Sequence, residues 1–236
     1  MNFIYDTYSH IGTRRNNQDS YTVCWGRNGF AAAVADGLGG YIGGEIASKL
    51  FVDEFESAFE SEGFDLVQTY DEANEIIIDA QEQYNNRMKT TAASVWVDKS
   101  QTLVANVGDS RVYAFKHGEI VFQSTDHSVA QMCVDSGEIT PDMIRIHEDR
   151  CILTRSLGGK AEVAVDISRL ENTDYDSLLL CSDGFWEHVF ESEMCSALKQ
   201  SQTPQQWLEK MVECRERRVT DDNDNNTAVV IMLEEG

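Results

Sequence analysis

Apolar positions along the chain follow two periods, and the switches between them outline the elements. Residues 20–25 and 30–35 are short apolar and β-branched runs. Between them stands Arg27-Asn28-Gly29, and Asn-Gly favours a hairpin turn. Ala47, Leu50, Phe51, Phe55, Ala58 and Phe59 then recur at helical spacing with acids between them. Leu66, Tyr70, Ala73, Ile77, Ala80 and Tyr84 recur at steps of four and three. Both patterns predict amphipathic helices lying on a flat surface. Strand-like runs return at 93–98, 102–107, 112–115 and 120–123, with turns at Lys99-Ser100 and His117-Gly118. Residues 125–159 are polar and irregular. A strongly apolar run at 178–181 ends in Ser182-Asp183-Gly184, a helix forms around Trp207, Leu208, Met211 and Val212, and a strand at 227–233 follows an acidic loop. Strands in runs, with helix pairs between them, predict an α+β protein rather than a parallel βαβ sheet. The expected form is a β-sandwich with helices on its outer faces.

Composition narrows the function. The 236 residues weigh 26.6 kDa, carry only two prolines (Pro141 and Pro204) and contain no Ser/Gly linker, so residues 1–236 read as one domain. Nineteen basic residues against forty-one acidic ones give a net charge of −22. That field argues against nucleic acid. It also repels phosphate monoesters, unless part of the acid is there to hold cations. No apolar run approaches the ~20 residues of a membrane helix. The N-terminus has neither the basic head nor the apolar stretch of a secretion signal. The six cysteines form no C-x-x-C pair, which disfavours zinc or iron–sulfur binding; they read as small buried hydrophobes in a reducing cytoplasm.

The chemistry-bearing residues are acids in one recurring context. Asp36 ends an apolar run and opens Asp36-Gly37-Leu38-Gly39-Gly40. This glycine loop is not a phosphate cradle: Gly44 is followed by Glu45, where a Walker A loop needs Lys, and Ile42 stands where a dinucleotide loop needs its third glycine. What remains is a carboxylate beside closely approachable backbone, suited to a metal. Asp183 follows the run at 178–181. Asp224 precedes the last strand, Asp109 follows Val107-Gly108, and Asp19 precedes the first strong strand. Each alone could be a turn residue or a helix cap. Together, if those strand ends meet at one edge, they would repel one another until divalent cations intervened. Oxygen donors without His or Cys suit Mg²⁺ or Mn²⁺. Arg14 and Arg15 stand just before the first of these acids. A guanidinium there could grip phosphate with two bonds, or be a solvated surface arginine.

These segments together resemble the metal-dependent protein serine/threonine phosphatases of the PPM (PP2C-type) family, in their short bacterial form. Arg14-x-x-Asn17-Gln18-Asp19 and Val34-Ala35-Asp36-Gly37-Leu38-Gly39-Gly40 look like the family's first two motifs. Thr90-Thr91-Ala92 resembles its Gly-Thr-Thr segment, and Asn106-Val107-Gly108-Asp109-Ser110-Arg111 the next motif. Thr125-Asp126-His127-Ser128 and Leu153-Thr154-Arg155-Ser156-Leu157-Gly158 bracket what resembles the flap. Leu180-Cys181-Ser182-Asp183-Gly184 and Asp224-Asn225-Asn226-Thr227 complete the series, in the family's order, over residues 8–232.

The resemblance implies a four-layer αββα sandwich, two antiparallel sheets flanked by helix pairs, with a binuclear Mn²⁺/Mg²⁺ centre at one end. It implies that Asp36 bridges the ions and the Gly37 carbonyl ligates one. Asp183 and Asp224 hold the other, and Asp19 acts directly or through water. Asp109 serves a third, weaker ion, and Arg14 binds the phosphate. The implied reaction is hydrolysis of phosphoserine or phosphothreonine on proteins by a metal-activated water, reversing a cognate kinase in cytoplasmic signalling. The resemblance leads us to expect a monomer that engages neither membrane nor nucleic acid. Three positions depart from the pattern. Leu38 stands where some members carry a His proposed as general acid, so another group must protonate the leaving oxygen. Lys89 replaces a glycine, and Gln18 a common Glu. A same-fold hydrolase of a small phosphoester or regulator would use the same residues. A kinase-binding pseudophosphatase should have lost acids that this chain keeps. Residues 129–150, broken by Ser136-Gly137 and Thr140-Pro141, are expected to form a mobile flap that sets substrate choice.

Overall fold

The computed structural model describes residues 2–39 and 43–234. Gly40 and Ile42 of the glycine loop lie outside the described residues. The chain begins with three strands, β1 (Asn2–His10), β2 (Asp19–Gly26) and β3 (Gly29–Leu38), then two helices, α1 (Gly44–Glu60) and α2 (Leu66–Tyr84). Five strands follow: β4 (Lys89–Thr90), β5 (Ala92–Val97), β6 (Thr102–Val107), β7 (Arg111–Lys116) and β8 (Glu119–Gln123). Next come α3 (Val129–Asp135), a 3-10 turn (Pro141–Ile146), β9 (Asp166–Leu170) and β10 (Ser177–Cys181). The chain closes with α4 (Asp183–Trp186), α5 (Glu191–Lys199), α6 (Pro204–Glu216) and β11 (Asn226–Glu234).

Two antiparallel sheets result. One runs β1-β11-β10-β7-β8; the other runs β2-β3-β5-β6-β9, with β4 paired to the end of β3. Alternation along the central strands explains the layering. In β3, Phe30, Ala32 and Val34 face the other sheet, while Ala31, Ala33 and Ala35 lie under the helices. In β10, Leu178 and Leu180 face inward, and Leu179 and Cys181 outward. Strands buried on both faces must be apolar throughout, and these are the runs most visible in the sequence.

The helices supply the outer layers. α1 buries Ala47, Phe51, Phe55 and Phe59 in a row, and α2 buries Tyr70, Ala73 and Ile77. The Asp65 carboxylate caps α2 by accepting from the Val67 and Gln68 amides, and Asn85 ends it in the left-handed region. Against the other sheet, α5 and α6 bury Met194, Leu198, Trp207 and Met211. The result is the expected αββα sandwich. Among the described residues, no helix is long and apolar enough to cross a membrane.

Several expectations need correction. β1, β9 and α5 were not foreseen. β3 runs past residue 35 to Leu38, so Asp36 lies within the strand. Asp183 opens a short helix rather than ending a strand. Residues 125–159 hold short elements that the irregular pattern did not show, α3 and the 3-10 turn: Ile144 is buried, Arg145 pairs with Glu191 at 2.7 Å, and Arg150 donates to Glu187 at 2.8 Å. Of the six cysteines only Cys181 is buried. Cys151 is exposed and the other four are half-buried, so the reading of six core hydrophobes fails.

Candidate metal centre

The β2–β3 hairpin puts the first two acids together, because its two-residue loop, Arg27-Asn28, sets a register that pairs Asp19 with Asp36. The backbone around Asp36 is held on both sides. Its amide donates to Thr91 Oγ1 at 2.9 Å, and its carbonyl accepts from the Thr91 amide at 2.8 Å and from Thr90 Oγ1 at 2.9 Å. Thr91 Oγ1 in turn meets Ser110 Oγ at 2.7 Å. Next in the chain, the Gly37 amide donates to the Gln18 carbonyl at 3.1 Å. A Cβ on Gly37 would lie 2.0 Å from the Gly44 carbonyl oxygen, so only glycine lets the start of α1 come this close.

The second sheet brings its acids to the same end. β10 hands over to α4 at Ser182, whose hydroxyl donates to Asp19 Oδ2 at 2.7 Å and so links the two sheets. Ser182 Oγ itself accepts from the Thr227 amide at 2.9 Å. Asp183 follows, its carboxyl close enough to that of Asp36 for the two to interact electrostatically. A Cβ on Gly184 would stand 2.1 Å from the Asn225 carbonyl oxygen, which brings the segment before β11 against α4. Asn225 then stitches in residues 11–18: it accepts from the Gln18 amide at 2.8 Å and donates to the carbonyls of Ile11 and Asn16. Asp224 is exposed beside it. Asp109 is buried in the β6–β7 loop, and its carbonyl accepts from Trp186 Nε1 of α4 at 2.9 Å.

All five acids expected at this end are therefore near it, from both sheets, and their electrostatics conflict. Removal from water raises Asp36 well above the carboxylate range, and the charges of Asp183, Asp19 and Asp109 add to the effect. Burial pushes Asp19 up to about 7 against the hydrogen bonds from Ser182 and Thr227, with Asp183 and Asp224 raising it further. Asp109 is raised well above its ordinary value by burial, then by Asp183 and Asp126. Asp183 is raised by burial, then by Asp224. Asp19 Oδ1 and Asp183 Oδ1 are buried and accept no hydrogen bond. Oxygen donors, mutual repulsion and orphaned buried oxygens are what a site for hard divalent cations requires. The residues fit such ions.

Arg14 stands at the rim beside these acids. Its Nε and Nη2 donate to the two oxygens of Asp224 at 3.0 and 2.9 Å, so its fork lies on one of the expected ligands. Two residues were missed. Donor atoms of Cys151, Asp183 and Glu187 all lie within 4.8 Å of one another. Burial, then the Asp183 charge, pushes Glu187 up to about 7 and also raises the Cys151 thiol. Glu187 had a signal in the sequence, four residues beyond Asp183 and hence on the same helical face. Cys151 had none.

Comparison with known proteins identifies the family. The family model for protein phosphatase 2C matches residues 7–223. The serine/threonine phosphatase stp of Listeria monocytogenes is 34% identical over 202 residues, covering 80% of each chain. The structure of serine/threonine phosphatase Stp1 from Staphylococcus aureus superposes with a TM-score of 0.90 at 27% identity, covering 100% of this chain and 96% of that one. The catalytic domain of serine/threonine protein phosphatase PstP, solved with two manganese ions, gives a TM-score of 0.79 at 28% identity, covering 99% of each chain. With the family model matching residues 7–223, which hold every one of the acids but Asp224, the chain belongs to the protein phosphatase 2C family.

Proposed function

We propose that this metal-dependent protein serine/threonine phosphatase holds two Mn²⁺ or Mg²⁺ ions among Asp36, the Gly37 carbonyl, Asp183 and Asp224. Asp19 lies at their margin, and Asp109 supports a weaker third site. The observation that carries this reading is the convergence of five acids from two sheets with two buried carboxylate oxygens left unpaired. Bound there, the ions would supply positive charge for the phosphoryl oxygens and lower the pKa of water.

The chain's own residues do the positioning. Thr90 and Thr91 clamp the backbone of Asp36, and Ser182 fixes the orientation of Asp19. Arg14 is exposed at the rim, and the fork it now lays on Asp224 has the geometry that a phosphate's oxygens also offer. In this reading Arg14 exchanges a carboxylate for the incoming phosphate. Leu38 cannot carry a proton, so no side chain at that position serves the leaving oxygen.

The substrates are phosphorylated proteins, and the opposing enzyme is a serine/threonine kinase. We read residues 1–236 as one catalytic domain acting as a monomer, with residues 129–150 as a flap influencing substrate choice. The cysteines, none of them in a disulfide, suit a reducing cytoplasm. A panel of phosphoserine and phosphothreonine peptides set against small phosphoesters tests the substrate class. The expected result is a kcat/KM for peptides at least about tenfold higher, ~1.4 kcal/mol. The opposite ranking would assign the site to a small phosphoester.

A further inference from the structure

Beside the oxygen-rich acids lies a group of different donors. Cys151 follows the 125–150 segment, Asp183 opens α4, and Glu187 comes one helical turn later. Their sulfur and carboxylate oxygens lie within 4.8 Å of one another. Cys151 is exposed and open to solvent. Glu187 is half-buried, and Arg150 donates to its Oε1 at 2.8 Å, which leaves Oε2. The Asp183 Oδ1 oxygen, which also counts toward the binuclear centre, is buried and accepts no hydrogen bond. One thiol with two carboxylates is not a set that favours Mg²⁺. A sulfur donor selects softer ions, and three protein ligands with one open position suit zinc-class cations.

We propose that Cys151, Asp183 and Glu187 form a site for a borderline-soft divalent cation of the zinc class, and that occupation of this site inhibits the phosphatase. Binding breaks the Cys151 S–H bond; the proton passes to solvent and the sulfur electron pair to the cation. Arg150 faces the group and stays on Glu187 Oε1, while the charges of Arg145 and Arg14 also reach Glu187 and Asp183. Inhibition follows because Asp183 cannot serve both centres with the same oxygens. That consequence rests on Asp183 belonging to the proposed binuclear centre; the cation site itself does not.

Titration of Co²⁺ into the full chain at saturating Mg²⁺, followed by near-ultraviolet absorption, tests the site. The expected result is a sulfur-to-cobalt charge-transfer band in the parent protein, absent in Cys151→Ser and weakened in Glu187→Gln. In parallel, half-inhibition of phosphoester hydrolysis by Zn²⁺ should need about tenfold more Zn²⁺ in Cys151→Ser, whose Mg²⁺-supported rate without Zn²⁺ is unchanged. No band in the parent protein, or an equal band in Cys151→Ser, overturns the proposal. A band lost in Cys151→Ser, with Zn²⁺ leaving hydrolysis untouched in both proteins, upholds the cation site and overturns its inhibitory role. It also counts against Asp183 as a catalytic ligand, so the two readings fail separately.

Discussion

Two clusters of charge meet at α4 and differ in how their charges are balanced. Around Arg111 the charges are matched. Its Nε and Nη2 hold both oxygens of buried Asp126 at 2.8 and 2.7 Å, and its Nη1 donates to Tyr113 Oη at 2.9 Å. The guanidinium lies 3.5 Å from the Trp186 ring centroid. Glu191 takes Tyr113 Oη and Arg145 as donors, and only Arg145 Nη1 lacks an acceptor. Around Asp36 the acids outnumber their countercharges, which are Arg14 at the rim, Arg150 near Asp183 and Arg111 near Asp109. Both clusters use strand ends and buried polar groups. The first can persist unaided, because each charge meets its opposite. The second is stable as carboxylates only with added cations, and that difference separates a structural network from a functional one.

The sharpest way to break this contrast is to remove one acid from the unmatched cluster. Asp36→Asn should lower kcat by roughly 10⁴-fold, about 5 kcal/mol. Asp109→Asn, which touches only the proposed weaker third site, should cost about tenfold. Metal-free Asp36→Asn should also unfold at a higher urea concentration than the parent, because it relieves repulsion. Equal small losses of activity for both variants would mean that the centre is misplaced.

Breaking the matched cluster should do the reverse. Arg111→Met leaves Asp126 buried without its cation, which costs about 3–5 kcal/mol of stability. The Mn²⁺ concentration for half-maximal activity should move little in whatever protein remains folded. Denaturant titration and metal activation curves measure the two effects separately.

The pH dependence of stability distinguishes the clusters more finely. Asp19 rises from the ordinary 3.8 to about 7 on folding, so between those values the folded chain binds more protons than the unfolded one. Metal-free protein should therefore lose stability as pH climbs from about 4 to about 7, on the order of 3 kcal/mol from this group. Asp36, Asp109 and Asp183 push in the same direction. Saturating Mn²⁺ should flatten the slope. Thermal melts across that range, with and without metal, show whether it does.

The smallest effect expected is at the rim. Arg14→Ala should raise KM for a phosphopeptide about tenfold and lower kcat less, since phosphate is charged in both ground and transition states. A large fall in kcat at constant KM would give Arg14 a transition-state role instead.

Legibility in the sequence followed burial. β3, β10 and β11 are apolar on both faces and so stand out as runs, and α1 and α2 are long enough to show their period. β1 and β9 lie at sheet edges and mix polar with apolar residues, which leaves no alternation to read. α3 is seven residues long, too short for a period to declare itself. The acids were legible because strand ends and glycines repeat around them. The bond from Arg14 to Asp224 was not, since 210 residues separate the partners and the β1–β11 pairing, with the Asn225 bonds to residues 11–18, brings them together. Cys151 reaches Asp183 through the course of the 125–150 segment, which has no regular pattern to follow.

The central claim is that the unmatched carboxylates work only with divalent cations. Its most direct test is the turnover of a phosphothreonine peptide by exhaustively chelated protein, before and after Mn²⁺ is restored. We predict no turnover after chelation and full recovery on adding Mn²⁺; full turnover by the chelated protein would contradict the account.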